Sequence, residues 1–416
     1  MTFLGLMTNF AALTLCVLVL ATHNHQARAL RHSTLVSKKN IETSSNGLCA
    51  SSIAIHGYKC QEYEVTTGDG YILSVQRITE GRSTVSGNVT KKEPVVVQHG
   101  VLVDGSTWFM NSPEQNLPMI LADNGFDVWV VNARGTKFSR KHTSLDTSSE
   151  EYWAWSWDEL VTEEMPAIFD FVSKNSGGQK INYVGHSLGT LVALASLAEG
   201  KWTTDHVKSV ALLSPIAYLS RMTTPIGAVA ARTLLAEGYT FMGIPEFDLK
   251  AYPILEFFKG VCAQPGVNCD DLFTAATGEN CCLQQSAFNQ FMEAEPQPSS
   301  TRNMFHLAQT VRSDFLTKFD FMRPDLNMLR YGQLFPPVYD LTQIPNDMPI
   351  FMSYGGKDAL SDVADVQKLL RYFENHDADK LSVQFIDNYA HADYIMAYNA
   401  KDLVYNNVTS FFKRQW

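Results

Sequence analysis

The stretch 180–197, KINYVGHSLGTLVALASL, constrains the fold of this chain more than any other. Lys180 to Val184 alternate toward a buried β pattern, Gly185 to Gly189 spell G-x-S-x-G, and Leu191 to Leu197 run apolar at helical spacing. The spacing predicts strand, sharp turn and helix, with Ser187 at the apex. A serine on so tight a turn needs small neighbours, which Gly185 and Gly189 provide. The N-terminus of the following helix would face an oxyanion developing on a substrate.

The surrounding chain alternates strand and helix. Residues 63–78, YEVTTGDGYILSVQRI, read as a β-hairpin turning at Gly68-Asp69-Gly70. Pro94 to Gln98 is a short apolar strand ending in His99-Gly100; a helix is expected around 119–124, a strand at 126–131 and a long helix across 150–175. Ser209 to Leu213 is another strand. From about 215 to 349 the rhythm stops, and it resumes with a strand at 349–354, a helix at 363–373 and a strand at 382–385. This pattern predicts an α/β fold with a mostly parallel central sheet, helices on both faces and a large inserted cap. The expected division is residues 30–214 and 350–416 for the core, with 215–349 as the cap. The insertion is rich in Phe, Met and Leu, a composition that can bury surface or offer it to an apolar ligand. Trp153, Trp155 and Trp157, alternating before the long helix, are expected to pack rather than bind.

Residues 10–21, FAALTLCVLVLA, followed by Ala27-Arg28-Ala29, have the pattern of a signal peptide ending at residue 29, although the leader lacks an early Lys or Arg. No later run is apolar enough to span a bilayer. A formal charge of -10 offers nothing to nucleic acid. Beyond Cys16 in the leader, Cys49, Cys60, Cys262, Cys269, Cys281 and Cys282 suit disulfides in an oxidising compartment. Pairing is expected within the 49/60 cluster and within the 262–282 cluster; zinc there is disfavoured by the adjacent Cys281-Cys282 and the lack of a nearby His. Asn88 and Asn407 stand in glycosylation sequons.

A serine hydroxyl needs a base to take its proton and a carboxylate to orient that base. Asp358 follows the 349–354 strand through Gly355-Gly356-Lys357, and His391 follows the last strand after a short loop. The order Ser, Asp, His is that of an α/β-hydrolase. His186 is expected to point elsewhere along the turn, and His376 lies in a polar segment. Asp362 and Asp365 are expected to serve the start of the next helix. After His99-Gly100, the backbone N–H of Val101 is expected to join that of Leu188 in holding an oxyanion, and Asp104-Gly105 read as an ordinary turn.

From about Tyr63 onward the chain resembles the acid lipase family of gastric and lysosomal lipases, and most closely its plant triacylglycerol lipases. The segments that carry the resemblance are EVTTGDGYILSVQRI, QHGVLVDGSTW, LADNGFDVWVVNARGTKFSR, YVGHSLGT, MSYGGKDALSDVADV and YAHADYIM. The resemblance implies Ser187 as nucleophile, Asp358 as acid, His391 as base and Val101 and Leu188 as oxyanion donors. With the leader, which predicts a secreted or vacuolar protein, and a triad that needs no cofactor, the expectation is an enzyme acting on neutral lipid esters at a lipid–water interface. Val101 stands where the family usually has Leu, and the clustered cysteines depart from the animal enzymes. An acyltransferase, a steryl-ester hydrolase and an inactive lipid-binding relative remain alternatives.

Overall fold

The structure is a computed structural model that describes residues 47–82, 92–224, 242–250 and 272–416, with 227, 231, 238 and 240 between them. The expected signal peptide, Asn88, Cys262 and Cys269 lie outside the described residues.

The strands are β1 (Lys59–Thr66), β2 (Tyr71–Glu80), β3 (Pro94–Gln98), β4 (Asp127–Val131), β5 (Lys141–His142), β6 (Ile181–His186), β7 (Val207–Leu213), β8 (Glu246–Phe247), β9 (Ser299–Ser300), β10 (Ile350–Gly355) and β11 (Leu381–Ile386). One sheet holds β1-β2-β4-β3-β6-β7-β10-β11 in that order, with β5 paired to β2; β8 and β9 form a separate small pair. The expected hairpin is β1–β2, in antiparallel register from Thr66 opposite Ile72. From β4 through β11 every neighbour is parallel.

Burial follows this order. Every residue of β3, β4, β6 and β10 is buried, as expected of strands covered by helices on both faces. At the edges, β1 and β11 are mostly exposed or partly covered, with Val65 the one buried residue of the two strands. The helix Leu188–Ala198 is buried from Leu188 to Leu197, so it is apolar all round rather than striped. It packs in the larger core with Val96 and Tyr183, while Val95, Val97, Val184 and Phe412 belong to a second core that the alternating side chains of β3 and β6 face on the other side of the sheet.

The helix expected over 150–175 starts later. A 3-10 turn covers Glu151–Trp153, and the helical run begins at Trp157, because Ser156 caps it: its hydroxyl accepts from Asp158 N at 3.2 Å, and the Glu159 carboxylate accepts from Ser156 N at 2.7 Å. The three tryptophans are buried, as their packing role requires. Trp157 stacks on His306 at 4.1 Å, and Asp158 accepts from Phe319 N and Tyr339 OH, so this turn joins the 215–349 stretch to the rest of the fold. Behind it, fully buried Arg134 is held by Glu164 at 2.7 Å and Asp69 at 2.6 Å, a pairing that answers the cost of burying its charge.

Cys49 and Cys60 form a disulfide that ties the first described turn to β1. Cys281 and Cys282 are bonded to each other. Asn407 is exposed on the helix Asn406–Lys413, where its amide donates to Leu403 O. Among the described residues no helix is long and apolar enough to cross a membrane.

Candidate active site

The elbow forms because β6 and its helix meet without a spacer. Ser187 caps that helix with φ 54° and ψ -119°, a conformation that costs an L-residue on the order of 1–3 kcal/mol. The cost is met by a closely fitted surround. A Cβ at Gly185 would lie 2.6 Å from the Gly189 carbonyl carbon, and one at Gly189 would lie 2.9 Å from Gln98 O. Ser187 N donates to Leu213 O at the end of β7, and Ser187 O accepts from Thr190 N and Thr190 Oγ1. The end of β3 closes over the serine: a Cβ at Gly100 would come within 3.4 Å of Ser187 Oγ.

Asp358 and His391 meet across the C-terminal ends of β10 and β11. His391 Nδ1 lies 3.0 Å from Asp358 Oδ2 and 3.1 Å from Oδ1, and both side chains are buried. Asp358 also accepts Leu360 N at 2.9 Å and Ser361 N at 2.8 Å. Burial pushes its carboxyl up, but the His391 charge and these donors outweigh burial and hold it below the ordinary aspartate value. A carboxylate at Nδ1 fixes the proton there and leaves Nε2 as the acceptor.

The rivals go elsewhere. Asp362 caps the helix Val363–Leu370 through Ala364 N, and Asp365 receives Arg221 rather than serving the helix dipole alone. His376 is buried against Met348 O. His186 does not point away: its ring lies 4.7 Å from that of His391, with Nε2 at 3.0 Å from His391 O. Burial, then the neighbouring His391, drives its pKa down to about 3, so it packs there as a neutral ring.

Val101 follows Gly100, and Leu102 turns the chain at φ 59°. Gly100 and Leu188 line one small cavity with Gln98, His99 and Ala133, so the end of β3 and the start of the elbow helix lie close together. His99 is buried beneath them, with Nε2 accepting from Ala133 N and Nδ1 beside Gly100 O.

Asp104 is a turn residue as expected, its carboxylate accepting from Ser106 N at 2.8 Å to cap the 3-10 turn Gly105–Phe109, but it does more than that. It is fully buried, and so is Glu295 from the inserted stretch. Glu295 Oε1 accepts from Asp104 N at 3.3 Å, and Ser106 Oγ bridges the two carboxyls at 2.5 and 3.3 Å. Among the described residues Asp104 Oδ2 and Glu295 Oε2 have no hydrogen-bond partner. Desolvation, reinforced by the Asp104 charge, pushes the Glu295 carboxyl from 4.5 up to about 8. The folded chain therefore holds a proton that the unfolded chain has released, and stability falls as pH rises through this interval. Glu295→Gln is expected to melt close to wild type at pH 4 and to gain at pH 8 on the order of 4 kcal/mol. Melting curves at the two pH values check this; a gap that does not widen toward pH 8 would contradict it.

A strand, an elbow serine and a buried helix, followed along a parallel sheet by a paired carboxylate and histidine, define an α/β-hydrolase. Residues 49–112 match the partial alpha/beta-hydrolase lipase region, and residues 93–245 match the alpha/beta hydrolase fold. Triacylglycerol lipase 2 of Arabidopsis thaliana is 53% identical over 374 residues, spanning 90% of this chain and 89% of its own length. Gastric triacylglycerol lipase of Homo sapiens is 33% identical over 366 residues, spanning 86% and 89%. A soluble variant of monoglyceride lipase from Saccharomyces cerevisiae shares the fold at a TM-score of 0.55 and 13% identity, covering 86% of this chain and 98% of that one. The chain belongs to the acid lipase family of α/β-hydrolases, and it is an ester hydrolase of the lipase type.

Proposed function

We propose that the chain is a serine lipase that releases fatty acid from neutral lipid esters, triacylglycerol first among them, through an acyl-enzyme. Ser187 attacks the ester carbonyl while His391 Nε2 takes its proton, and Asp358 stabilises the imidazolium. The N–H groups of Val101 and Leu188 receive the oxyanion. His391 returns the proton to the departing diacylglycerol, then activates water to free the acid. The stretch 215–349 acts as a cap over the site. With residues 1–29 as a signal peptide, the enzyme enters the secretory route toward an extracellular or vacuolar destination.

The observation that supports this reading is the strained elbow serine, whose neighbour His186 packs 4.7 Å from the ring of His391, together with the buried Asp358–His391 pair. The relatives named as triacylglycerol lipases support the substrate class. A fluorophosphonate probe is expected to label the protein once, with the added mass on the peptide carrying Ser187. Labelling at another residue, or none in folded protein, would refute the nucleophile.

A further inference from the structure

Asp393 lies on the short helix Asp393–Met396 and is fully buried, but no cation neutralises it among the described residues. Its carboxylate is met by backbone donors instead. Oδ2 accepts from Ala390 N at 2.8 Å and from Cys281 N at 3.1 Å, and Oδ1 accepts from Cys282 N at 3.1 Å. One carboxylate thus joins the loop that carries His391 to a piece of the inserted stretch.

The same piece, 277–283, touches that loop at further points. His391 N donates to Thr277 O at 3.1 Å, and Ala392 N donates to Asn280 Oδ1 at 3.0 Å. Tyr398 N donates to Cys282 O at 3.0 Å. On the other side, Gly278 bridges to Asp358, and a Cβ there would lie 2.0 Å from Lys357 O. Both the acid's turn and the base's loop therefore rest on one extended segment from outside the sheet. Asp393, Cys281 and Cys282 also bring possible metal ligands within 4.8 Å of one another. The two sulfurs are joined in a disulfide and the carboxylate is occupied by N–H donors, which favours a clamp over a metal site.

We propose that Asp393 is a positioning residue for His391, clamping the base's loop onto segment 277–283 so that alignment of the base depends on the inserted stretch. The inference rests on His391 being the base. Misplacing a catalytic group by about 1 Å can cost on the order of 100-fold in rate, whereas substrate binding elsewhere is untouched. In Asp393→Asn one oxygen becomes an NH2 that faces a backbone N–H, so one clamp bond is replaced by a donor–donor contact.

The test uses the full chain and emulsified triacylglycerol. Asp393→Asn is expected to lower kcat about 100-fold with KM within about twofold, and fluorophosphonate labelling should slow in parallel. Asn280→Ala, which removes the partner of Ala392 N from the inserted side, is expected to lower kcat about tenfold. The two losses should be less than additive, since both loosen one loop. The proposal is overturned if Asp393→Asn keeps kcat within threefold of wild type, or if its loss disappears once the rate is corrected for the folded fraction. Should Asp393→Asn fail to fold, Asn280→Ala decides alone: kcat within threefold overturns the proposal. His391→Gln separates the two levels, because an active His391→Gln would remove the base assignment itself, while a dead one beside a fully active Asp393→Asn would remove only the clamp.

Discussion

Replacing Ser187 with alanine is expected to lower kcat on emulsified triacylglycerol about 10⁶-fold while leaving a folded protein. The bonds that hold the elbow are all main-chain at this residue: Ser187 N to Leu213 O, and Ser187 O from Thr190. Alanine keeps each of them, and it meets the same strain at φ 54° as the serine. What it removes is the hydroxyl oxygen that the proposed mechanism uses to form the acyl-enzyme. Because nucleophile and base act as a unit, adding His391→Ala to Ser187→Ala should cost almost nothing more. Titration of released fatty acid reads both variants. Retention of more than a hundredth of the wild-type rate by folded Ser187→Ala would remove this serine from the mechanism.

The second large effect is expected at Asp358→Asn, about 10⁴-fold in kcat. The asparagine oxygen can continue to accept Leu360 N and Ser361 N, so the turn after β10 stays in place. Its NH2 then replaces the oxygen 3.0 Å from His391 Nδ1. A donor there drives the imidazole proton to Nε2, the nitrogen that must accept from Ser187, and the ring is held in the unproductive tautomer. The melting temperature should change little by comparison. A loss of less than tenfold would show that another carboxylate orients the base, and Asp362 and Asp365 are already engaged with Ala364 N and Arg221.

The sheet was legible wherever local pattern and final burial coincide. Pro94 to Gln98 and Ile350 to Gly355 are apolar runs because both faces of those strands are covered, and the glycines of the elbow are spaced by the turn itself. The positions of Ser187, Asp358 and His391 in the fold were legible because each follows a strand that the sequence marks. What escaped was decided across the fold. Asp104 looks like a turn residue to its neighbours, and only Glu295, 191 positions away, makes it half of a buried carboxyl pair. His186 meets the backbone of a residue 205 positions away, so nothing near it in sequence sets its direction. Asp393 stood within YAHADYIM, but its donors at Cys281 and Cys282 come from the inserted stretch. The late start of the 157 helix is different, since Ser156 and Glu159 spell a capping box that the apolar spacing alone passes over.

The seam between β7 and β10 sets an order of assembly. β1 and β2 are joined by a tight turn, and β3, β4, β6 and β7 follow at intervals of up to about 50 residues, but β10 reaches its place beside β7 only after a loop of roughly 140 residues is closed. The entropy of that closure must be met before its pairing gives anything back, so the strands that bring Asp358 and His391 are the slow ones to dock. In a chain leaving the ribosome they are also the last to be made. The elbow lies on the near side of that seam and the Asp358–His391 pair on the far side, so closing it is what brings the two halves of the candidate site together.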